Sequence, residues 1–284
     1  IRFMLQNQLK STRLSTGGAT FARFVYSAPL AVLVAFGYIG LSGGSLPEVS
    51  LRFFAFGALG GIAQILGTMC VVALFAHRNF AVGIAFKKTE VILSFVVGLI
   101  ILGDRISGIA FIAILVGLPG VLLLSDPPSA SGTWKQRIFN KAAGIGLLSG
   151  LMFAISGVGY RGASLSIPAD DGFYRAIVTL AYVTVFQTLM MSVWLYLKER
   201  GEVGRVLASW RVSSFVGLTS MIGSTCWFWA FTLQTVALVN AVGQAEMILS
   251  IMATTLFFKE KITRREWWGG SILMLSIIIL ILAT

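Results

Sequence analysis

Apolar stretches of roughly 17 to 25 residues recur along nearly the whole chain, and each is long enough to cross a hydrocarbon core about 30 Å thick. Few folds can hold such a pattern. The strands of a membrane barrel would alternate apolar and polar residues over about ten positions, whereas "SFVVGLIIL" and "SIIILIL" are apolar without alternation. The spans are therefore helices. A soluble domain is excluded as well, because 57% hydrophobic and 12% charged residues leave too few polar groups to cover its outside. The fold class read from this pattern is an all-α membrane protein.

The apolar pattern predicts helices over 18–41, 51–76, 80–102, 107–125, 140–160, 173–197, 213–233, 236–258 and 266–284. The opening "IRFMLQNQLKSTR" has the look of the last turns of a further helix running into a basic loop. We therefore expect a truncated first span, completed upstream by about 15–20 apolar residues, and ten transmembrane helices in all. No signal peptide is visible.

An internal duplication organises these helices. Laying "GIAQILGTMC" (61–70) over "GLTSMIGSTC" (217–226) aligns Gly61 with Gly217, Gly67 with Gly223, Thr68 with Ser224 and Cys70 with Cys226, an offset of 156 residues. The register continues without a gap. "KKTEVILSFVVGLIILGDRIS" falls on "GQAEMILSIMATTLFFKEKIT", so that Glu90 matches Glu246, Ser94 matches Ser250 and Asp104 matches Glu260. Five helices per half is an odd number, which sends the second half into the membrane in the opposite sense. The expected organisation is two inverted five-helix repeats, 1–125 and 140–284, joined by a Pro- and Ser-containing linker over 126–139.

Two five-helix halves, each with an acidic fourth helix ending in "GDRIS" or "KEKIT", resemble the EamA-type transporters of the drug/metabolite transporter superfamily. The resemblance implies ten helices, alternating access and a central cavity between the halves, with many members exporting amino acids or related metabolites. It is specific for fold and unspecific for substrate.

Orientation follows from Lys and Arg in short loops. Loops after the odd-numbered helices carry Lys10, Arg13, Arg78, Lys135, Arg137, Lys198, Arg200, Lys259 and Lys261 among others, whereas the even loops hold Arg52, Arg105, Arg161 and Arg175. The odd loops then face the cytoplasm, with both termini outside. The resemblance implies the opposite placement of the termini. The loops account for the net charge of +11, and no aromatic–basic pattern points to nucleic acid.

Ionisable residues at membrane depth are costly and mark cavities or partners. At about 1.5 Å per residue, Glu90 lies roughly 15 Å into a helix of about 35 Å, and Glu246 reaches a similar depth. Lys87 and Glu90 are three apart and share a face with Ser94, so an intrahelical pair is available. Lys88 points elsewhere. In the second half Gly243 and Gln244 replace the two lysines, so the symmetry breaks at the cations and holds at the acids. Substrate binding is assigned to Lys87, Lys88, Glu90, Ser94, Trp227, Asn240, Gln244, Arg23 and Arg175. Glu246, without a cation in its own helix, is assigned to proton coupling.

Blander readings stand beside these. The lysines and Glu90 can form a structural salt bridge. Arg23 and Arg175 can snorkel to an interface. Trp227 and Trp229 can be plain packing residues, and Asn240 can bond another helix instead of a ligand. Cys70 and Cys226 read as small packing residues, and His77 as a loop residue; a metal or thiol enzyme has little to build on. The absence of a Walker motif excludes transport powered by ATP hydrolysis in this chain. No catalytic residue, metal or cofactor is expected. The favoured function is a secondary transporter, an exporter of small zwitterionic or amphiphilic metabolites in a bacterial cytoplasmic membrane. The alternative is a lipid-phosphate binding or flipping protein. Partners are a small-molecule substrate and membrane lipids. Since "GALGG" (57–61) and "GVGYRG" (157–162) allow close helix packing within one chain, the expected state is a monomer.

Overall fold

The computed structural model describes residues 9, 14–43, 45–74, 87–125, 141–248 and 264–283. The expected remnant of a first helix, the linker 126–139, His77, the stretches 80–86 and 249–258, and half of the basic residues of the odd loops lie outside them.

Among the described residues the chain forms ten helices and no strand. They are α1 (Thr16–Leu41), α2 (Leu51–Leu74), α3 (Glu90–Leu102), α4 (Gly108–Ser125), α5 (Lys141–Leu165), α6 (Gly172–Lys198), α7 (Glu202–Ala208), α8 (Trp210–Leu233), α9 (Val236–Gly243) and α10 (Arg264–Leu282). Five of them, α1, α2, α5, α6 and α8, are long and apolar enough to cross a membrane. Helices satisfy this requirement because backbone polar groups in lipid find partners only within the chain. The ten helices differ from the ten expected spans: α7 is a seven-residue connector that no apolar run announces.

Local chemistry sets several ends. Ser15 caps α1 by accepting from Gly18 N at 2.8 Å, and Asp171 caps α6 by accepting from Phe173 N at 2.8 Å. The turn "GDRIS" works as its sequence suggests. Gly103 closes α3 in the left-handed region (φ 69°), and Ser107 Oγ accepts from Ala110 N at the start of α4.

The helices group into two compact units, 1–75 with 155–234 and 76–154 with 235–284. The grouping cuts across the sequence halves but follows their period. A break after Phe75, carried 156 residues on, falls three residues before the observed break after Gln234.

In the first unit α1 packs on α6 and α8, and α6 also packs on α2. Its two glycine-rich motifs meet. A Cβ on Gly159 would lie 2.7 Å from the backbone nitrogen of Gly60, so the α2 and α5 backbones touch where only glycine fits. At the start of α1, the fully buried carboxylate of Glu202 accepts from Ser15 N at 2.5 Å and pairs with Arg205, while Glu199 accepts from Ser15 Oγ. Negative charge at a helix N-terminus is stabilising. In the second unit α4 packs on α10 and α3 on α9. Gly120 lets the α4 backbone approach Gly269 O and Leu273 N of α10.

The fourth helix of each half is interrupted. A continuous helix is expected over 80–102, yet Lys87 is helical, Lys88 and Thr89 form a turn, and α3 begins at Glu90. Over 236–258 the helix likewise stops at Gly243, turns at Gln244 and resumes through Ile248. Lys88 and Gln244 are the same position in the 156-residue register.

Candidate functional site

Two polar centres lie inside otherwise apolar packing, one in each unit. That of the second unit is built on the two helix breaks. Lys87 Nζ donates to Glu90 Oε2 at 2.8 Å, with both side chains little exposed (15% and 12%), and also lies 4.7 Å from the ring of Phe153. The i,i+3 pair expected from spacing is present. Lys88 Nζ reaches across to Glu246 Oε1 at 2.6 Å; its own side chain is 8% exposed and that of Glu246 66%. This corrects the contrast drawn between the two acids: Glu246 lacks a cation only on its own helix, and the turn at Lys88 aims one at it from the neighbouring element.

Around these pairs, Asn240 Nδ2 donates to Ser94 Oγ at 2.9 Å, and Ser94 Oγ donates to Glu90 O at 2.6 Å. Asn240 thus ties α9 to α3, the helix-bonding alternative of the sequence reading. Gln244 Nε2 donates to Asn240 O at 3.1 Å, while its buried Oε1 has no hydrogen-bond partner among the described residues. A cavity of about 20 Å³ adjoins Lys88, Gln244 and Ser276. Gly150 of α5 sits against the first break, where a Cβ would come within 2.8 Å of Lys87 O. Thr89 and Gln244 keep right-handed helical dihedrals, so each break is a tightened turn within the helical region.

The centre of the first unit is Arg23, 3% exposed. Its Nε donates to Ser220 Oγ at 2.8 Å, Nη1 to Thr68 Oγ1 at 3.1 Å and Nη2 to Ser224 Oγ at 3.4 Å. Arg23 does not snorkel. Nearby, Gln187 Nε2 donates to Tyr160 OH, Gly61 O and Gln64 Oε1 at 3.0–3.1 Å. Arg175 is used differently, bonding the carbonyl of Ala169 in the turn before its own helix. Trp227 is 39% exposed and tilts against Phe231, with ring centres 5.5 Å apart, and Trp229 stands edge-on to Phe173 at 5.2 Å. The Trp227 contact is with a residue one turn along its own helix.

At one end of this unit an open cavity of about 620 Å³ is lined by Tyr38, Glu48, Asp170, Asp171 and Tyr174. Tyr38 OH donates to Asp171 Oδ2 at 2.6 Å, and this bond above all holds the Asp171 carboxyl below its ordinary range.

Sequence reasoning missed the hydroxyls around Arg23, though a signal existed. Gln64 and Thr68, and in register Ser220 and Ser224, are polar pairs at i,i+4 on one face of otherwise apolar helices. Among the described residues no group of three or more His, Cys, Asp or Glu could hold a metal ion.

Helices long and apolar enough to span a bilayer, with ionisable side chains buried between them, define an integral membrane protein with functional polar groups in its interior. Residues 140–282 match the family model of the EamA-like transporter family, and the chain belongs to that family, within the drug/metabolite transporter superfamily. Members of the family are transporters, not enzymes. No curated protein matches the chain. A solved structure titled only "Crystal structure of protein" shares the fold, with a TM-score of 0.68 over 100% of this chain and 96% of that one at 15% identity. It is among 23 matching chains of solved structures.

Proposed function

We propose that this protein is a secondary active transporter that exports small zwitterionic or amphiphilic metabolites, amino acids among them, by alternating access across a bacterial cytoplasmic membrane. Supporting this reading is the coincidence of two helix breaks, at Lys88–Thr89 and at Gln244, with two Lys–Glu pairs. Interrupted helices with charges at the break are how repeat transporters form binding sites for charged solutes and coupling ions. The family assignment supports transport, and the 156-residue period supports two repeats of opposite sense. A functional monomer suffices on this reading, since duplication supplies both halves in one chain.

Lys87 with Glu90 would present a cation and an anion to a zwitterion. Glu246 is the proton carrier, now on the ground of access: its side chain is 66% exposed, whereas that of Glu90 is 12% exposed. Protonating Glu246 would leave the buried Lys88 ammonium without its partner, so proton uptake would act directly on the cross-helix contact.

The test is counterflow of labelled amino acids in proteoliposomes. Exchange of at least one soluble zwitterion is expected, and none across the amino-acid set removes this function. Glu246→Gln should flatten the dependence of transport on pH between 5 and 8 while sparing substrate binding. Unchanged pH dependence returns Glu246 to a structural role.

A further inference from the structure

The surroundings of Arg23 are unusual in what they lack. A guanidinium has five N–H donors, and here three of them meet the hydroxyls of Ser220, Thr68 and Ser224. Among the described residues no carboxylate forms an ion pair with it. A buried charge without a counter-charge is expensive, and neutral hydroxyls offset only part of that cost.

The hydroxyls themselves are also unusual. Thr20, Thr184, Thr225 and Thr232 donate their hydrogens to carbonyls four residues earlier in their own helices. Thr68, Ser220 and Ser224 make no such bond among the described residues and only accept from Arg23. Among the described residues, their three O–H groups and the two remaining N–H groups of the guanidinium form a cluster of donors whose recorded acceptors are only the hydroxyl oxygens themselves. Such a cluster matches an anion. Two of the hydroxyls, Thr68 and Ser224, are repeat-equivalent, so the duplication brings one donor from each half to the same cation.

We propose that Arg23, Thr68, Ser220 and Ser224 form a receptor for a small monoanionic group, either the carboxylate of a transported substrate or a free halide. The inference rests on the transport reading only in naming a substrate as one source of the carboxylate. Gly217, a turn before Ser220, brings the α8 backbone against Tyr26 and Ser27 of α1. The receptor is therefore closed in this conformation, and an anion enters when α1 and α8 separate.

Thermal unfolding of the purified protein in nanodiscs tests this, comparing sodium chloride, sodium formate and the bulkier gluconate at equal ionic strength. Chloride and formate should each raise Tm saturably, by several degrees, because a ligand that binds only the folded state stabilises it by mass action. Gluconate should not, and Arg23→Gln should abolish the rise. The double variant Thr68→Val, Ser224→Ala keeps the cation and should weaken half-saturation about tenfold, since it removes two hydrogen bonds to a charge; it decides the matter if Arg23→Gln does not fold. A wild type without a saturable rise, or variants with the wild-type rise, overturns the proposal. Counterflow then separates the sources. A KM for amino acids raised about tenfold or more in the Arg23 variant identifies a substrate carboxylate, and an unchanged KM a resident inorganic anion. If the wild type exchanges no amino acid, the transport reading falls while the Tm series still judges the receptor.

Discussion

The polar centres of the two units hold a buried cation in opposite ways. In the second, each lysine has its own carboxylate, Lys87 with Glu90 and Lys88 with Glu246. In the first, Arg23 is buried as deeply, and among the described residues its hydrogen bonds go only to hydroxyls, with the centre of the Phe24 ring 5.3 Å from its guanidinium carbon. The difference teaches what each centre can exchange. A closed ion pair releases a cation when a proton or a ligand takes the acid, whereas a cation among neutral hydroxyls has no counter-charge that an anion must first displace. Both follow from one rule, that a charge out of water needs a partner.

The sharpest way to break this contrast is to leave the second unit with an unpaired charge of its own. Glu90→Leu removes the carboxylate from Lys87 and, among its recorded contacts with described residues, leaves the Phe153 ring. A loss of about 3 kcal/mol is expected for removing one partner of a mostly buried pair. Adding Lys87→Met should restore most of it, since replacing both charges by apolar groups is often close to neutral. Unfolding of the single and double variants in detergent measures both steps. A double variant as unstable as Glu90→Leu would show that the pair itself, and not compensation, holds this region together.

How far the sequence foretells these centres depends on distance along the chain. The apolar runs give the helices, and the 156-residue register gives Glu90 opposite Glu246 and Thr68 opposite Ser224. The Lys87–Glu90 pair is legible because three residues make less than one helical turn. The Lys88–Glu246 pair is illegible, because it joins residues 158 apart across two helices. Nor is the first break visible beforehand, although the second falls at a glycine, Gly243. "KKTEV" contains neither proline nor glycine, so nothing local stops a helix at Lys88–Thr89; what the break meets is Gly150 and Glu246, both distant in sequence. The connector α7 is missed for a related reason: "EVGRVLA" is too short to carry a period, and its buried Glu202 is held by the start of α1.

A middle-sized effect sharpens the comparison at the backbone. Gly150→Ala would push a methyl toward Lys87 O, now 2.8 Å from the ideal Cβ position, with Glu90 N and Thr89 Oγ1 each at 3.4 Å. Since the neighbour is backbone and cannot swing aside, a cost of about 1–3 kcal/mol is expected, with the Lys87 break displaced. Gly144→Ala, on the same helix with open space around it, is the control and should be near neutral. Paired unfolding measurements on the two variants decide whether the α5 contact fixes the break. Equal stabilities would mean that the break is set by the Lys88–Glu246 contact alone.

The smallest expected effect concerns an acid outside the spans, where water and salt screen what burial amplifies. Asp171 accepts from Tyr38 OH and from Phe173 N, and the Tyr38 bond first among its interactions lowers its pKa below the ordinary carboxylate range. The sign follows directly. A group with a depressed folded pKa contributes stability above its unfolded value, near 3.9, and loses that contribution as pH falls through the folded value. Asp171→Asn keeps one carbonyl oxygen for two donors, so at pH 7 it should cost about 1 kcal/mol or less, in the range of a helix N-cap and discounted for exposure. The Tm difference between wild type and variant should hold constant above about pH 5, shrink toward pH 3 as the carboxylate protonates, and narrow further in high salt. A difference that persists unchanged at low pH would assign the effect to amide geometry, and the charge of Asp171 would then have no part in joining α1 to α6.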